Sequence, residues 1–169
     1  MKLIETTYEI IAWKCLGKSV DKEWSDWATE LIKAGFETEH IVELAGIGKP
    51  YNQFELKVLT DRVFEELNLD FNNKDKILKN YVSFLCEQVL NSKRDLLKSL
   101  RAIRNICIEL DYDKSIYDFY SLYNAKEDLN YSEVQWYWNG ADRENIDEIC
   151  INYIRNWTKN NPLEELSHE

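Results

Sequence analysis

The chain has 169 residues, 31 of them acidic and 21 basic, for a net charge of −10. That length suits one domain, which at this size buries roughly 70% of its unfolded surface without disulfide or metal staples. Hydrophobic residues at 44% and charged residues at 31% exclude disordered and collagen-like chains, five glycines and two prolines are too few for a β-sandwich or barrel, and the acidic balance opposes nucleic-acid binding that rests on neutralising phosphates.

Helical periodicity organises the chain. Ile4, Tyr8, Ile11 and Cys15 share one face of a first helix, with Gly17 as its stop. Trp24, Trp27, Ala28 and Leu31 mark a second that ends at Gly35. Thr38 is placed to cap a short third helix carrying Ile41, Val42 and Ala45. Gly46, Gly48 and Pro50 then make a tight connection, which is the best boundary candidate in the sequence. Phe54, Leu59, Val63 and Leu67 carry a fourth helix. Asn73 caps a fifth, lined inside by Leu78, Val82, Leu85 and Val89.

Ser92 and Asp95 stand at capping-box spacing ahead of a sixth helix through Leu96, Leu100, Ile103, Cys107 and Leu110. Ile116, Phe119, Tyr120 and Tyr123 give a seventh. Ser132 and Gln135 form a second box before a short helical segment, Val134 to Trp138. A last helix follows Asp142 with Ile146, Ile149, Tyr153 and Trp157, and Pro162 ends it. No segment alternates with period two, and all five glycines fall between predicted helices. The expectation is an all-α single domain of eight or nine helices over residues 1–169, with 160–169 as a frayed acidic tail.

The charge is uneven. Residues 51–110 carry 10 basic and 9 acidic side chains, whereas residues 111–169 carry 5 and 13. No apolar run resembles a signal peptide or a membrane span, so the expected location is cytoplasmic. Cys15, Cys86, Cys107 and Cys150 fall on apolar helical phases with no C-x-x-C spacing, as buried reduced thiols do.

Candidate chemistry is sparse. His40 and His168 each follow a glutamate by three residues, Glu37 and Glu165, which is half of a di-iron carboxylate pattern. Glu37 lies ahead of its helix and Glu165 in the tail, so no metal site and no cofactor is expected. Asp142, Glu144, Asp147 and Glu148 could hold Mg²⁺ only with a second acidic set, for which Asp61, Glu65 and Glu66 are the candidates. That alternative is a Mg²⁺-dependent phosphoanhydride hydrolase. Arg94, Lys98 and Arg101, flanked by Arg104, form a basic stripe without a glycine loop or interleaved aromatics. Trp136, Tyr137 and Trp138 are three adjacent aromatics, and three neighbours in one helix cannot all face one core.

The stretches Ile116–Asp128, Val134–Trp138 and Ala141–Asp147 resemble small uncharacterised bacterial helical proteins, some of which are predicted to be immunity proteins of polymorphic toxin systems. The resemblance implies a cytosolic protein that binds and occludes a toxin domain. Acidic character and large aromatic anchors fit a non-catalytic module for a basic protein partner. The expected contact residues are Trp136, Trp138, Asp142, Glu144 and Glu148.

Overall fold

Asp21 accepts a hydrogen bond from Glu23 N at 3.0 Å and starts the second helix, and Asn52 and Asn73 do the same for the fourth and fifth. Such caps, with positive-φ stops at Gly17, Gly35 and Asn68, divide the first half of the chain into short helices. The computed structural model describes residues 2–166 and is all-α, with eight helices and no strand among the described residues. They are α1 (Thr7–Cys15), α2 (Lys22–Lys33), α3 (Glu39–Ala45), α4 (Gln53–Glu66), α5 (Lys74–Leu90), α6 (Leu96–Glu109), α7 (Tyr117–Tyr131) and α8 (Ile146–Asn160).

By its contacts the chain forms two compact units that meet in sequence inside α5, between Tyr81 and Val82. Unit 1 holds the described residues up to Tyr81 together with 164–166; unit 2 runs from Val82 to Leu163. Of residues 160–166, Asn160 ends α8 and Glu164 is hydrogen-bonded to Asn80. His168 lies outside the described residues.

In unit 1, α2 packs on α3, and α3 on α4. The core is an aromatic ladder. Trp13 meets Trp24 at 6.4 Å, Trp24 meets Trp27 edge-on at 6.5 Å, Trp27 meets Phe64 edge-on at 6.0 Å, and Phe64 meets Phe71 at 5.5 Å. Leu31, Ile41, Leu44 and Val63 fill the space around it. Phe54, expected on the inner face of α4, is 82% exposed. It lies off the Leu56–Leu59–Val63 stripe at the first turn. Val42 is exposed for the same reason: Ile41 and Leu44 already occupy the buried side of α3.

In unit 2, α6 packs on α7 and α7 on α8. Leu100, Ile103, Cys107, Phe119, Leu122 and Cys150 are fully buried. Phe119 takes Tyr153 and Trp157 of α8 edge-on, both at 5.2 Å. The Ser92–Asp95 box does not form as spaced. Ser92, at φ 57°, closes α5, and Asp95 alone caps α6 by accepting from Lys98 N at 2.8 Å.

Candidate functional site

The helix expected at Val134–Trp138 is a loop, because Gln135 satisfies the backbone there by itself. Its Oε1 accepts from Tyr137 N and Trp138 N, each at 2.8 Å. Its Nε2 donates to Trp138 O at 2.5 Å and Ala141 O at 3.1 Å. One side chain thus performs the pairing a helical turn would have performed, and the chain stays open. Arg143 fastens the other end, with Nε donating to Leu129 O at 2.9 Å and Ser132 O at 3.1 Å.

The pinned loop turns apolar side chains outward. Trp136 is 90% exposed and Tyr131 83%, with Val134 and Tyr137 about half exposed. Trp138 has the opposite role. It is half-buried and meets Tyr153 edge-on at 5.7 Å, which ties the loop to α8. Trp136 presents a surface; Trp138 supports it.

The acidic residues also divide. Asp142 and Glu144 precede α8, which starts at Ile146. The Asp142 carboxylate accepts from Glu144 N and Asn145 N, both at 2.9 Å, while Asn145 Oδ1 accepts from Asp142 N at 2.7 Å. This reciprocal pair builds the turn, so Asp142 is exposed but structurally engaged. Asp147 pairs with Lys126 of α7. Glu144 and Glu148 are exposed beside them. Between Glu127 and Glu148 there are seven acidic residues and one basic one, Arg143, which already serves the loop.

The second acidic set proposed for Mg²⁺ belongs to the other unit and is engaged locally. Asp61 pairs with the largely buried ammonium of Lys14 at 2.5 Å, and Glu65 pairs with Arg62 at 3.0 Å. Glu66 accepts from the Thr38 hydroxyl and lies 2.6 Å from His40 Nδ1. Thr38 therefore begins α3 without capping it, and His40 meets Glu66 rather than Glu37. Among the described residues, no group of three His, Cys, Asp or Glu side chains converges as metal ligands.

Of the basic stripe, Arg94 and Arg101, with the flanking Arg104, lie against aromatic rings, and Lys98 is exposed. Arg101 Nε donates to the Tyr123 hydroxyl at 3.1 Å, and the Arg101 and Arg104 guanidinium groups stand 5.8 and 5.0 Å from the Tyr123 ring centre. Arg94 lies 5.4 Å from the Phe84 ring. Cys86, Cys107 and Cys150 are buried free thiols, and Cys15 is partly buried. Burial pushes the Cys15 thiol up to about 11 and Cys150 up to about 12, which suppresses thiolate chemistry.

Sequence reading missed two clefts of unit 1. One, of about 410 Å³, runs between α1 and α2 over Ile10, Trp13 and Trp27. The Lys18 ammonium stands 3.4 Å from the Trp13 ring centre and 3.5 Å from Glu23, so the chain supplies its own cation there. The other, of about 250 Å³, lies between α1, α5 and residues 164–166. Comparison with protein-family models, curated proteins and solved structures finds no match to this chain.

Proposed function

We propose that this protein is a non-catalytic binding module whose docking face is the Tyr131–Trp138 loop of unit 2, and whose partner is a basic protein. The observation that carries this reading is Trp136, held 90% exposed on a loop fixed by the four bonds of Gln135. A rigid exposed aromatic loses little entropy on docking, and clustered exposed apolar side chains are a common mark of an interaction surface. The surrounding carboxylates supply the field. Acidic rims raise association rates with basic surfaces and repel anionic ones, including anionic lipid.

The resemblance of Ile116–Asp128, Val134–Trp138 and Ala141–Asp147 to small bacterial helical proteins, some of them predicted to be immunity proteins, makes a toxin domain the first partner to test, with neutralisation in the cytoplasm as the role. A phosphate-attracting toxin surface is basic, and the Glu127–Glu148 stretch complements it. In this reading Trp136 is the desolvated anchor, Glu144 and Glu148 steer, and Trp138 and Asp142 hold the loop in shape.

The test is binding kinetics at two salt concentrations against purified candidate toxin domains. Glu144→Lys with Glu148→Lys should slow association and weaken its salt dependence. Trp136→Ala should speed dissociation, with affinity falling by about 2 kcal/mol or more. Reversals at Arg94, Lys98 and Arg101 that abolish binding while these changes leave it intact would move the interface to α6. Insertion of Trp136 into phosphatidylcholine–phosphatidylserine vesicles, read as a blue shift of its emission, would replace a protein partner by a membrane.

A further inference from the structure

Residues Glu164–Leu166 return to unit 1 and are held there as a receptor holds a peptide. The Asn80 amide on α5 makes both of its bonds to the main chain of one residue. Its Nδ2 donates to Glu164 O at 3.0 Å, and its Oδ1 accepts from Glu164 N at 2.8 Å. Such a pair grips backbone and is indifferent to the side chain it carries. Side-chain selection comes from other groups. Lys76, one turn earlier on α5, pairs with the Glu164 carboxylate at 2.9 Å, and Lys2 pairs with Glu165 at 2.9 Å. Leu166 packs against the apolar cluster of unit 1.

The segment leaves room beside it. The 250 Å³ cleft borders Leu166 and is walled by Tyr8, Ile11, Leu69 and Ile77. Asp70, a carboxylate in the wall, is occupied by its own turn, accepting from Asn72 N at 2.9 Å and Asn72 Nδ2 at 2.6 Å. The ion pairs holding the segment are solvent-exposed, and exposed pairs contribute little. The two ion pairs therefore add little to its seating, and tethering adds to its occupancy.

We propose that this groove is a receptor for a short acidic segment of a partner, two acidic residues followed by an aliphatic one, and that Glu164–Leu166 is its built-in competitor. The site is separate from the aromatic loop and takes a ligand of the opposite charge. Release of the resident segment gates it. A tethered competitor acts at an effective concentration of roughly millimolar, so a free peptide of the same sequence meets a mostly closed groove.

The test uses a fluorescein-labelled peptide, Pro-Leu-Glu-Glu-Leu, and fluorescence anisotropy with the full chain. Wild type is compared with a full-length variant carrying Glu164→Lys, Glu165→Lys and Leu166→Ser, its fold checked by circular dichroism. The variant should bind the peptide at least ~10-fold more tightly than wild type, as removal of a tethered competitor requires. Adding Asn80→Ala to that variant should abolish the gain. Adding Lys76→Glu instead should weaken binding, and a peptide with Lys in place of its first Glu should restore it. Should the triple variant unfold, excess unlabelled peptide is added to the ¹⁵N-labelled wild-type chain. The Glu165 and Leu166 amide resonances should then move to unfolded-chain positions. The proposal is overturned if the folded variant fails to bind, if both chains bind equally and ignore Asn80→Ala, or if millimolar peptide leaves those resonances in place.

Discussion

Unit 1 closes its core on Trp24 and Trp27, at 0% and 2% exposure, while unit 2 holds Trp136 at 90% and leans Trp138 and Trp157 half-buried against α8 and α7. Both units had helices enough to bury an indole. In unit 1 the α2 stripe sets Trp24, Trp27, Ala28 and Leu31 at helical spacing, so every large ring lands on the inner face. In unit 2 Trp136 stands on no helix. A side chain amide holds its loop open, and the ring has no inner face to turn to. The contrast separates aromatics buried in a core from one exposed on a loop, and it sets how mutation should act in each unit.

The largest effect sharpens that contrast directly. Trp24→Ala should cost about 3–5 kcal/mol, because a fully buried indole leaves a cavity that its ring neighbours only partly close. Trp136→Ala should change stability by less than about 0.5 kcal/mol, as surface changes do. Urea unfolding followed by far-UV circular dichroism measures both. A Trp136 cost close to that of Trp24 would place the loop ring in a core and remove the docking surface.

A finer division lies inside the ladder of unit 1. Trp27 Nε1 donates to the buried Thr7 hydroxyl at 3.1 Å, whereas the buried Trp24 Nε1 has no hydrogen-bond partner among the described residues. Trp27→Phe strands Thr7, while Trp24→Phe removes an N–H whose desolvation was never repaid. Trp27→Phe should therefore be the more destabilising by about 1–3 kcal/mol. Equal urea midpoints for the two variants would show that ring volume alone decides.

How much of this was visible in the sequence follows from what each feature depends on. Core stripes such as Leu96–Leu100–Ile103–Cys107 depend on period alone, and α6 forms where that period placed it. Phe54 was misjudged because it lies off the phase of its own helix, a two-residue matter at a helix start. Ser132 and Gln135 have the spacing of a capping box, but spacing does not say which amides a glutamine reaches, and Gln135 reaches loop amides. The clash was legible beforehand in three adjacent aromatics that no single helix face accommodates. The Asn80–Glu164 bracket joins residues 84 apart, and no local pattern encodes it. The acidic field of the last third was plain from composition; which carboxylates serve the turn, as Asp142 does, required coordinates.

Gln135→Ala tests whether the loop of unit 2 is rigid by design. It removes four bonds at a half-exposed position where water replaces part of each, so the loss should be roughly 1–2 kcal/mol. Hydrogen exchange should show Tyr137 and Trp138 amides losing protection while α7 and α8 keep theirs. Partner binding should weaken even though no contact residue changed, since a mobile loop must be ordered on docking. Unchanged protection at both amides would mean that Trp138 packing on Tyr153, and not Gln135, fixes the loop.

The smallest expected effect belongs to unit 1 alone. The hydrogen bond that protonated His40 donates to Glu66, with the charges of Glu66, Glu39 and Glu43 nearby, holds the His40 imidazole above its ordinary range. Burial pushes the Glu66 carboxyl up, but hydrogen bonds from Thr38 and His40 outweigh it and hold the group below its usual value. A histidine raised on folding contributes stability below its unfolded pKa of about 6.5, and that contribution is lost as pH rises through the folded value. A lowered glutamate contributes above about 4.5 and loses its share as pH falls through its folded value. The pair is thus strongest between about pH 4.5 and 6.5 and declines on either side. Both groups are partly exposed, so solvent screening keeps the effect small. The urea midpoint of wild type should fall between pH 6 and 8.5 by more than that of His40→Asn, a comparison in which any titration of His168 cancels. Parallel curves for the two chains would leave the α3–α4 contact indifferent to this proton, and unit 1 would then owe its stability to the tryptophan ladder without help from the pair.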